Sequence, residues 1–204
     1  MPTLALVTKG ALIGFSIAAP VGPIGLLCIR RSLQDGLRHG LATGLGAATA
    51  DCVYGCVAGL GLTAVSGFLV GHRVVLAVLG GALLCWLGAR AWRAAPAESG
   101  PATPGAGVAA AFGTTFLLTL SNPMTILAFV AVFSGFGSVG RVDDSALLVG
   151  GVFLGSAAWW LALSCAVATL RTRLGPASLR VVNHLSALLL CGFGIYSVVS
   201  GLRG

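Results

Sequence analysis

Two features of the chain could do chemistry, and both lie in apolar sequence. Asp51 is an acidic residue within a long apolar run. Earlier, Pro20, Gly22 and Pro23 interrupt another such run. Proline lacks the backbone N–H and clashes with the preceding turn, and glycine lowers helix propensity, so a helix is expected to break there. An ionisable side chain or a broken backbone inside a membrane span is by default a functional-site candidate.

The break at Pro20 would offer backbone groups of both signs. Carbonyls at the end of the first half-helix attract an ammonium, and N–H groups at the start of the second half attract a carboxylate. In hydrocarbon, such groups are tolerated only where protein packs on them or where they line a polar cavity. Lys9 and Arg30 flank the run, so Pro20 lies near its middle. A zwitterion fits this pair of half-helix ends, and a kink that only shapes packing is the alternative.

A second break is predicted where Asn122 precedes Pro123 in another apolar stretch. The Asn122 amide either enters a cavity or satisfies the carbonyl that Pro123 leaves without a donor, and both interpretations remain open. Trp159 and Trp160 lie deeper in their apolar run than the interfacial positions where tryptophan is usual. We predict that Trp159 closes over a bound molecule, with core packing as the alternative.

The composition places the chain in a membrane. Of its 204 residues, 57% are hydrophobic and 8% are charged, and the mean hydropathy is +1.00. A crossing helix needs about 20 apolar residues. We therefore predict an all-α integral membrane protein with six transmembrane helices, of which the first and fourth are broken. The predicted ranges are 6–30, 40–66, 74–91, 108–133, 145–170 and 183–202.

The charges predict the orientation. The net charge is +7, but the cations flank the spans and form no single patch, so we expect no nucleic-acid partner. By the positive-inside rule the richer side is cytoplasmic. We therefore expect a multi-pass cell-membrane protein with both termini outside. The loops after helices 1, 3 and 5 hold Arg30, Arg31, Arg38, Arg90, Arg93, Arg171, Arg173 and Arg180, and the other side holds Lys9, Arg73, Arg141 and Arg203.

The chain also contains an internal repeat. The residues 83–88 resemble 189–194, and Ala19-Pro20 resembles Asn122-Pro123. We interpret 1–204 as one transmembrane domain made of two three-helix units, 1–95 and 105–204. Since each unit has an odd number of helices, the two face opposite ways across the membrane, as in transporters that work by alternating access.

The six cysteines form no CxxC pair and indicate no disulfide framework. Cys52 and Cys56 share a helix face beside Asp51. Packing is the main interpretation of this pair, and a path for a soft metal is the alternative. We expect no bound metal and no cofactor. Small-residue spacings in helix 2, such as Gly40 with Gly44, fit packing either within one subunit or in a homodimer.

Taken in order, these motifs resemble the LysE family of amino-acid exporters, in the same superfamily as the RhtB-type homoserine and threonine exporters. The resemblance implies a transporter, not an enzyme, that exports amino acids or similar small solutes and is driven by the proton gradient or the membrane potential. The matching residues are Pro20-Val21-Gly22-Pro23, 36–47, Asp51, 81–88, Asn122-Pro123, Gly155-Ser156 with Trp159, and 189–196.

In this hypothesis a zwitterionic substrate is bound by both breaks. Pro20, Gly22 and Pro23 open the backbone of the first helix so that it can bind the charged ends of the substrate. The second unit supplies the corresponding break at Asn122 and Pro123. Asp51 binds the ammonium or carries the coupling proton. The range of solutes, the coupling ion and any role of Cys52 and Cys56 beyond packing remain open.

Three other functions are alternatives to export of amino acids. A heavy-metal or other cation exporter of the same architecture is favoured only by the cysteines near Asp51. A membrane thiol-disulfide reductase needs a cysteine pair across the two units, and the predicted helix 4 has no cysteine. A purely structural subunit would leave Asp51 and the two breaks without a purpose.

Overall fold

The computed structural model describes residues 3–20, 22–59, 71–93, 106–122, 125, 129, 142–171 and 176–203. These residues form helices and short turns, with no strand among them. The seven helices of this part of the chain are α1 Thr3–Ala18, α2 Pro23–Gln34, α3 Leu37–Gly59, α4 Arg73–Arg93, α5 Ala106–Leu120, α6 Val142–Arg171 and α7 Pro176–Arg203.

The first predicted helix is broken where the prolines lie. α1 ends at Ala18, α2 begins at Pro23 with Gly22 as its N-cap, and the two axes meet at 82°. Pro23 suits the first helical position because its missing N–H would have no partner there in any case. The prediction of a broken helix 1 is therefore confirmed.

The loop predicted for residues 31–39 is much shorter than expected. α2 continues to Gln34 and α3 begins at Leu37, which leaves a tight turn at Asp35 and Gly36. Gly36 has a φ of 93°, a conformation that favours glycine. The cation at Arg31 does not mark a loop, because its buried guanidinium is held by neutral oxygens of the protein. It donates to the hydroxyls of Thr43, Thr114 and Thr115 and to the Ala111 carbonyl.

The second break also begins where predicted. α5 ends at Leu120, and a turn at Ser121 and Asn122 follows. Thr125 and Phe129 are helical, while Pro123 and most of the remaining predicted helix 4 lie outside the described residues.

The last helix, α7, begins at Pro176 and not at Asn183. The start predicted from the sequence lies seven residues too late. Arg180 is exposed on the surface of α7 and does not interrupt the helix.

By length and composition, α4, α6 and α7 are each able to cross a membrane. The bent pair α1 and α2 makes a fourth candidate span, and α5 is a shorter apolar helix. The all-helical membrane fold is thus confirmed, and the count of six spans stays a prediction. Residues 60–66 of the predicted helix 2 lie outside the described part of the chain.

The helices pack in pairs through glycines. α1 lies along α6 and α4 along α7, while α3 packs on both α5 and α6. A side chain at Gly14 would meet the Val152 carbonyl, and one at Gly155 would meet the Ala11 carbonyl, so these two backbones are in contact. The small-residue pair of α3 is used inside the chain, where Gly40 and Gly44 face Ser32 and Trp160.

Candidate functional site

A cavity of about 500 Å³ lies where α1 ends and α2 begins. It brings together most of the predicted site, since Pro20, Gly22, Pro23, Asp51 and Asn122 all line it. Every helix of the described chain contributes to its wall. The other lining residues are Ile17, Ala18, Ile24, Gly25, Ala47, Gly80, Leu84, Leu118, Thr119, Ser121, Thr125, Trp160, Phe193, Tyr196, Ser197 and Ser200.

The start of α2 presents backbone donors to this cavity. Among the described residues, the first backbone hydrogen bond of α2 is donated by the N–H of Leu26 to the carbonyl of Gly22, at 3.0 Å. The N–H groups of Ile24 and Gly25 therefore have no acceptor among the described residues, and both residues line the cavity. Such free N–H groups at a helix N-terminus attract an anion such as a carboxylate.

Asp51 supplies the opposite charge. It is only 3% exposed, and its Oδ2 accepts a hydrogen bond of 2.6 Å from the Ser156 hydroxyl. Ser156 in turn accepts one of 3.1 Å from Trp160 Nε1. Among the residues that the structure describes, no cation pairs with Asp51 and no group donates a hydrogen bond to its Oδ1. A buried carboxylate held by a single neutral donor is suited to bind a cationic group or a proton.

Thr119 adds an unused polar group to the same wall. The residue is 3% exposed, and its Oγ1 has no hydrogen-bond partner among the described residues. Leaving a buried hydroxyl without a partner costs about 1–3 kcal/mol. A ligand in the cavity would remove this cost by bonding to the hydroxyl. Nothing in the sequence distinguishes Thr119 from the other threonines of α5.

The second break is held by α3. The Tyr54 hydroxyl donates to the Leu120 carbonyl at 2.5 Å, where α5 ends. The backbone N–H of Asn122 donates to the Thr119 carbonyl at 3.2 Å, and Asn122 also lines the cavity. Tyr54 lies one helical turn after Asp51, so α3 contributes both the buried acid and the residue that caps the second break.

Replacing Tyr54 with phenylalanine tests this cap. The ring remains, but the Leu120 carbonyl loses its donor, so we expect a loss of about 1–3 kcal/mol and lower transport. Thermal unfolding in detergent measures the first effect. An unchanged midpoint in Tyr54→Phe would mean that the hydroxyl does not hold the break.

The structure separates the two adjacent tryptophans. Trp159 meets Phe15 edge-on, with ring centroids 5.3 Å apart, and does not line the cavity. Trp160 is buried and lines it. Neither Cys52 nor Cys56 borders the cavity. Among the described residues, no group of three His, Cys, Asp or Glu side chains could hold a metal ion.

Sequence reasoning therefore missed Thr119 and Tyr54. It named Ser156 only as part of a matching motif, and it assigned the substrate contact to Trp159 and not to Trp160. The pairing of Ser156 with Asp51 could have been predicted, because the two residues are 105 positions apart, which is close to the spacing of the internal repeat. Tyr54 could have been sought as a donor for the second break, since proline breaks leave carbonyls without donors.

Comparison with known proteins decides the family. The sequence model of the LysE type translocators matches residues 15–201. The chain belongs to the LysE type translocator family. It is therefore a translocator of small solutes that resides in a lipid bilayer. Since members of this family are transporters, it is not an enzyme.

Individual relatives of this LysE type translocator are efflux or membrane proteins. A candidate amino acid efflux protein of Bacillus subtilis, YcgF, is 25% identical over 94% of each chain. A threonine efflux protein of Salmonella typhi is 30% identical over 76% of this chain and 79% of its own. The uncharacterised membrane protein YahN of Escherichia coli is 28% identical over 85% and 80%. No solved structure matches the chain significantly.

Proposed function

We propose that this translocator exports amino acids or related small zwitterionic solutes from the cytoplasm. The observation that supports it best is one cavity lined both by Asp51 and by Ile24 and Gly25, whose N–H groups have no acceptor among the described residues. The names of the efflux relatives agree with it.

Both charged ends of a zwitterion find a partner in this cavity. The ammonium lies against Asp51 Oδ1, and the carboxylate receives the α2 N–H groups. Asn122 and Thr119 offer further polar contacts from the second half of the chain, and Pro123 follows them in sequence. Trp160 takes the position at the cavity wall that was predicted for Trp159.

In this proposal the lining also limits the choice of substrate. Asp51 is the one acidic or basic side chain among the described lining residues, and most of the others are apolar. A solute with a net negative charge would enter a cavity without any cationic side chain to pair with it. Acidic amino acids are therefore poor substrates, and zwitterions with an uncharged side chain are good ones.

Asp51 also couples transport to the proton gradient in this proposal. It binds either the substrate ammonium or a proton, because a buried carboxylate does not remain charged and unpaired. Exchange between the two would link export to proton entry. The proposed orientation has both termini on the extracytoplasmic side, on the basis of the positive-inside rule.

Contacts that recur between the two halves support the inverted-repeat architecture. The Cys85 thiol donates to the Cys191 carbonyl at 3.8 Å, and the Cys191 thiol donates to the Cys85 carbonyl at 3.7 Å. A side chain at Gly46 would meet the Phe112 carbonyl, and one at Gly151 would meet the Val7 carbonyl at the equivalent place. Such reciprocal contacts are what two units related by a twofold axis make, and rocking of one unit on the other would give alternating access.

Thr119→Val tests the ligand contact, because valine has nearly the same shape without the hydroxyl. We expect the apparent KM for export to rise about three- to tenfold, as the loss of one hydrogen bond predicts, with little change in thermal stability. Thr8→Val, which removes an exposed hydroxyl of α1, is the matched control. An unchanged KM would remove Thr119 from the binding site.

Efflux from cells loaded with dipeptides tests the function itself. Extracellular amino acids are compared with and without the protein, across all twenty types. Faster release of a subset with uncharged side chains is the expected result. If no amino acid is released faster while the protein is present in the membrane, the proposal fails, and metal-tolerance assays would test the cation-exporter alternative.

A further inference from the structure

A small polar cluster is enclosed between α2, α3 and α6. The Cys28 thiol lies 3.3 Å from the Ser164 hydroxyl and donates to the Gly40 carbonyl at 3.6 Å. A side chain at Gly40 would collide with the Ser32 hydroxyl and would lie 3.2 Å from that of Ser164. Cys28, Ser32 and Ser164 are fully buried. These contacts therefore bring the side chains of α2 and α6 together around the backbone of α3 at one place.

Trp160 separates this cluster from the cavity. It lines the cavity, and a side chain at Gly44 of α3 would collide with its Cβ. Ser164 follows Trp160 by one helical turn of α6, and Gly40 precedes Gly44 by one turn of α3. No residue of the cluster lines the cavity. The cluster thus begins directly behind the tryptophan that forms the cavity wall.

The Ser32 hydroxyl is unfavourably placed in this arrangement. It is fully buried and has no hydrogen-bond partner among the described residues. A buried hydroxyl without a partner is destabilising, and water or a polar solute that reached it would remove this cost. Ser32 therefore favours a conformation in which α2 moves away and the cluster becomes wet. It lies close to the surface, since the exposed Asp35 is less than one turn further along the chain.

We propose that the cluster lines the cytoplasmic half of the transport pathway, which is closed in this structure, and that Trp160 is the gate between it and the cavity. This inference rests on the proposed function, in which solutes leave from the cytoplasm. The turn between α2 and α3 lies on the cytoplasmic side in the proposed orientation. Solutes then enter past Ser32, Cys28 and Ser164 when α2 separates from α6.

The break in the first span gives α2 the freedom for this movement. α1 is fixed to α6 by direct backbone contact, because a side chain at Gly14 would meet the Val152 carbonyl. α2 is a separate half-helix whose axis lies at 82° to that of α1. It can therefore tilt away from α6 while α1 stays in place, which is a hinge movement about the break.

Reaction of Cys28 with a membrane-impermeant methanethiosulfonate tests the pathway. The thiolate forms a mixed disulfide with the reagent, and methanesulfinate leaves. In inside-out membrane vesicles, we expect mass spectrometry to find Cys28 modified from the cytoplasmic face, and not from the opposite face in right-side-out vesicles. Amino acid uptake by the inside-out vesicles should then fall to the level of vesicles without the protein.

Two cysteine variants show whether Cys28 causes this loss, each compared with its own uptake rate before the reagent is added. Cys28→Ser should resist the reagent. Cys165→Ser removes an exposed cysteine of α6 and should be as sensitive as the original protein. An equal loss of uptake in both variants would contradict the proposal, because another cysteine would then be responsible.

Two further results would refute the pathway: Cys28 unmodified from the cytoplasmic face, or modified from the opposite face alone. Modification does not depend on which solute is exported. If the proposed function alone is wrong, no amino acid is transported and Cys28 still reacts. If the pathway alone is wrong, amino acids are transported and Cys28 does not react.

Ser32→Ala tests the role of the unpartnered hydroxyl. Its removal should favour the closed conformation, so we expect an equal or higher unfolding midpoint together with a fall of about three- to tenfold in the maximal export rate and in the rate of Cys28 modification. A purely structural cluster would give no such loss of transport. Thr169→Ala removes an exposed hydroxyl of α6 and should change neither rate. Unchanged export and modification in Ser32→Ala would contradict the proposal.

Discussion

Export by the Asp51→Asn variant is expected to fall to the level of cells without the protein. Asparagine has nearly the same shape, and its amide oxygen can still accept the bond from Ser156, so the contact between α3 and α6 remains. What is lost is the negative charge, and with it the partner of the ammonium and the carrier of the proton. Initial rates of amino acid efflux measure the effect.

Asp35→Asn is the matched control. Asp35 is exposed at the end of α2, outside the cavity, and its replacement should leave efflux within about twofold of the original rate. Membrane insertion and thermal unfolding of Asp51→Asn are measured alongside, because a folding defect would imitate a loss of transport. Normal efflux by a well-folded Asp51→Asn protein would remove Asp51 from the mechanism.

Gly155→Ala is expected to have the largest effect on stability. A methyl group at Gly155 would overlap the Ala11 carbonyl of α1. The obstacle is backbone, which cannot rotate away, so the two helices must separate along their length. Overpacking of this kind costs about 1–3 kcal/mol or more. We expect a large fall in the yield of folded protein and in the unfolding midpoint.

Gly150→Ala provides the control on the same helix. A side chain at Gly150 meets no atom within 4 Å, and alanine has the higher helix propensity. This variant should be as stable as the original or slightly more so. Equal stability of the two variants would mean that α1 and α6 do not touch at Gly155.

The breaks could be predicted from the sequence because their causes are local. Proline and glycine act on the backbone wherever they occur, so the end of α1 near Pro20 and the turn at Asn122 needed no knowledge of the fold. Asp51 was found for a similar reason, since an acid in an apolar run is costly in any arrangement.

Other residues depended on contacts between helices that are distant in sequence. Trp159 and Trp160 are adjacent and chemically identical, and only the rotation of α6 decides which faces the cavity. Thr119 is an ordinary threonine until its hydroxyl is seen to lack a partner. Arg31 appeared to belong to a loop, because the sequence did not reveal that α3 and α5 would surround it with threonines.

The proposed function is tested most directly by efflux from proteoliposomes that contain only the purified protein. Vesicles are loaded with a mixture of labelled amino acids, and release is followed with and without an imposed proton gradient, for the original protein and for Asp51→Asn. We expect release of amino acids with uncharged side chains that the gradient accelerates and that Asp51→Asn abolishes. Release at equal rates from both proteins, or from neither, would contradict it.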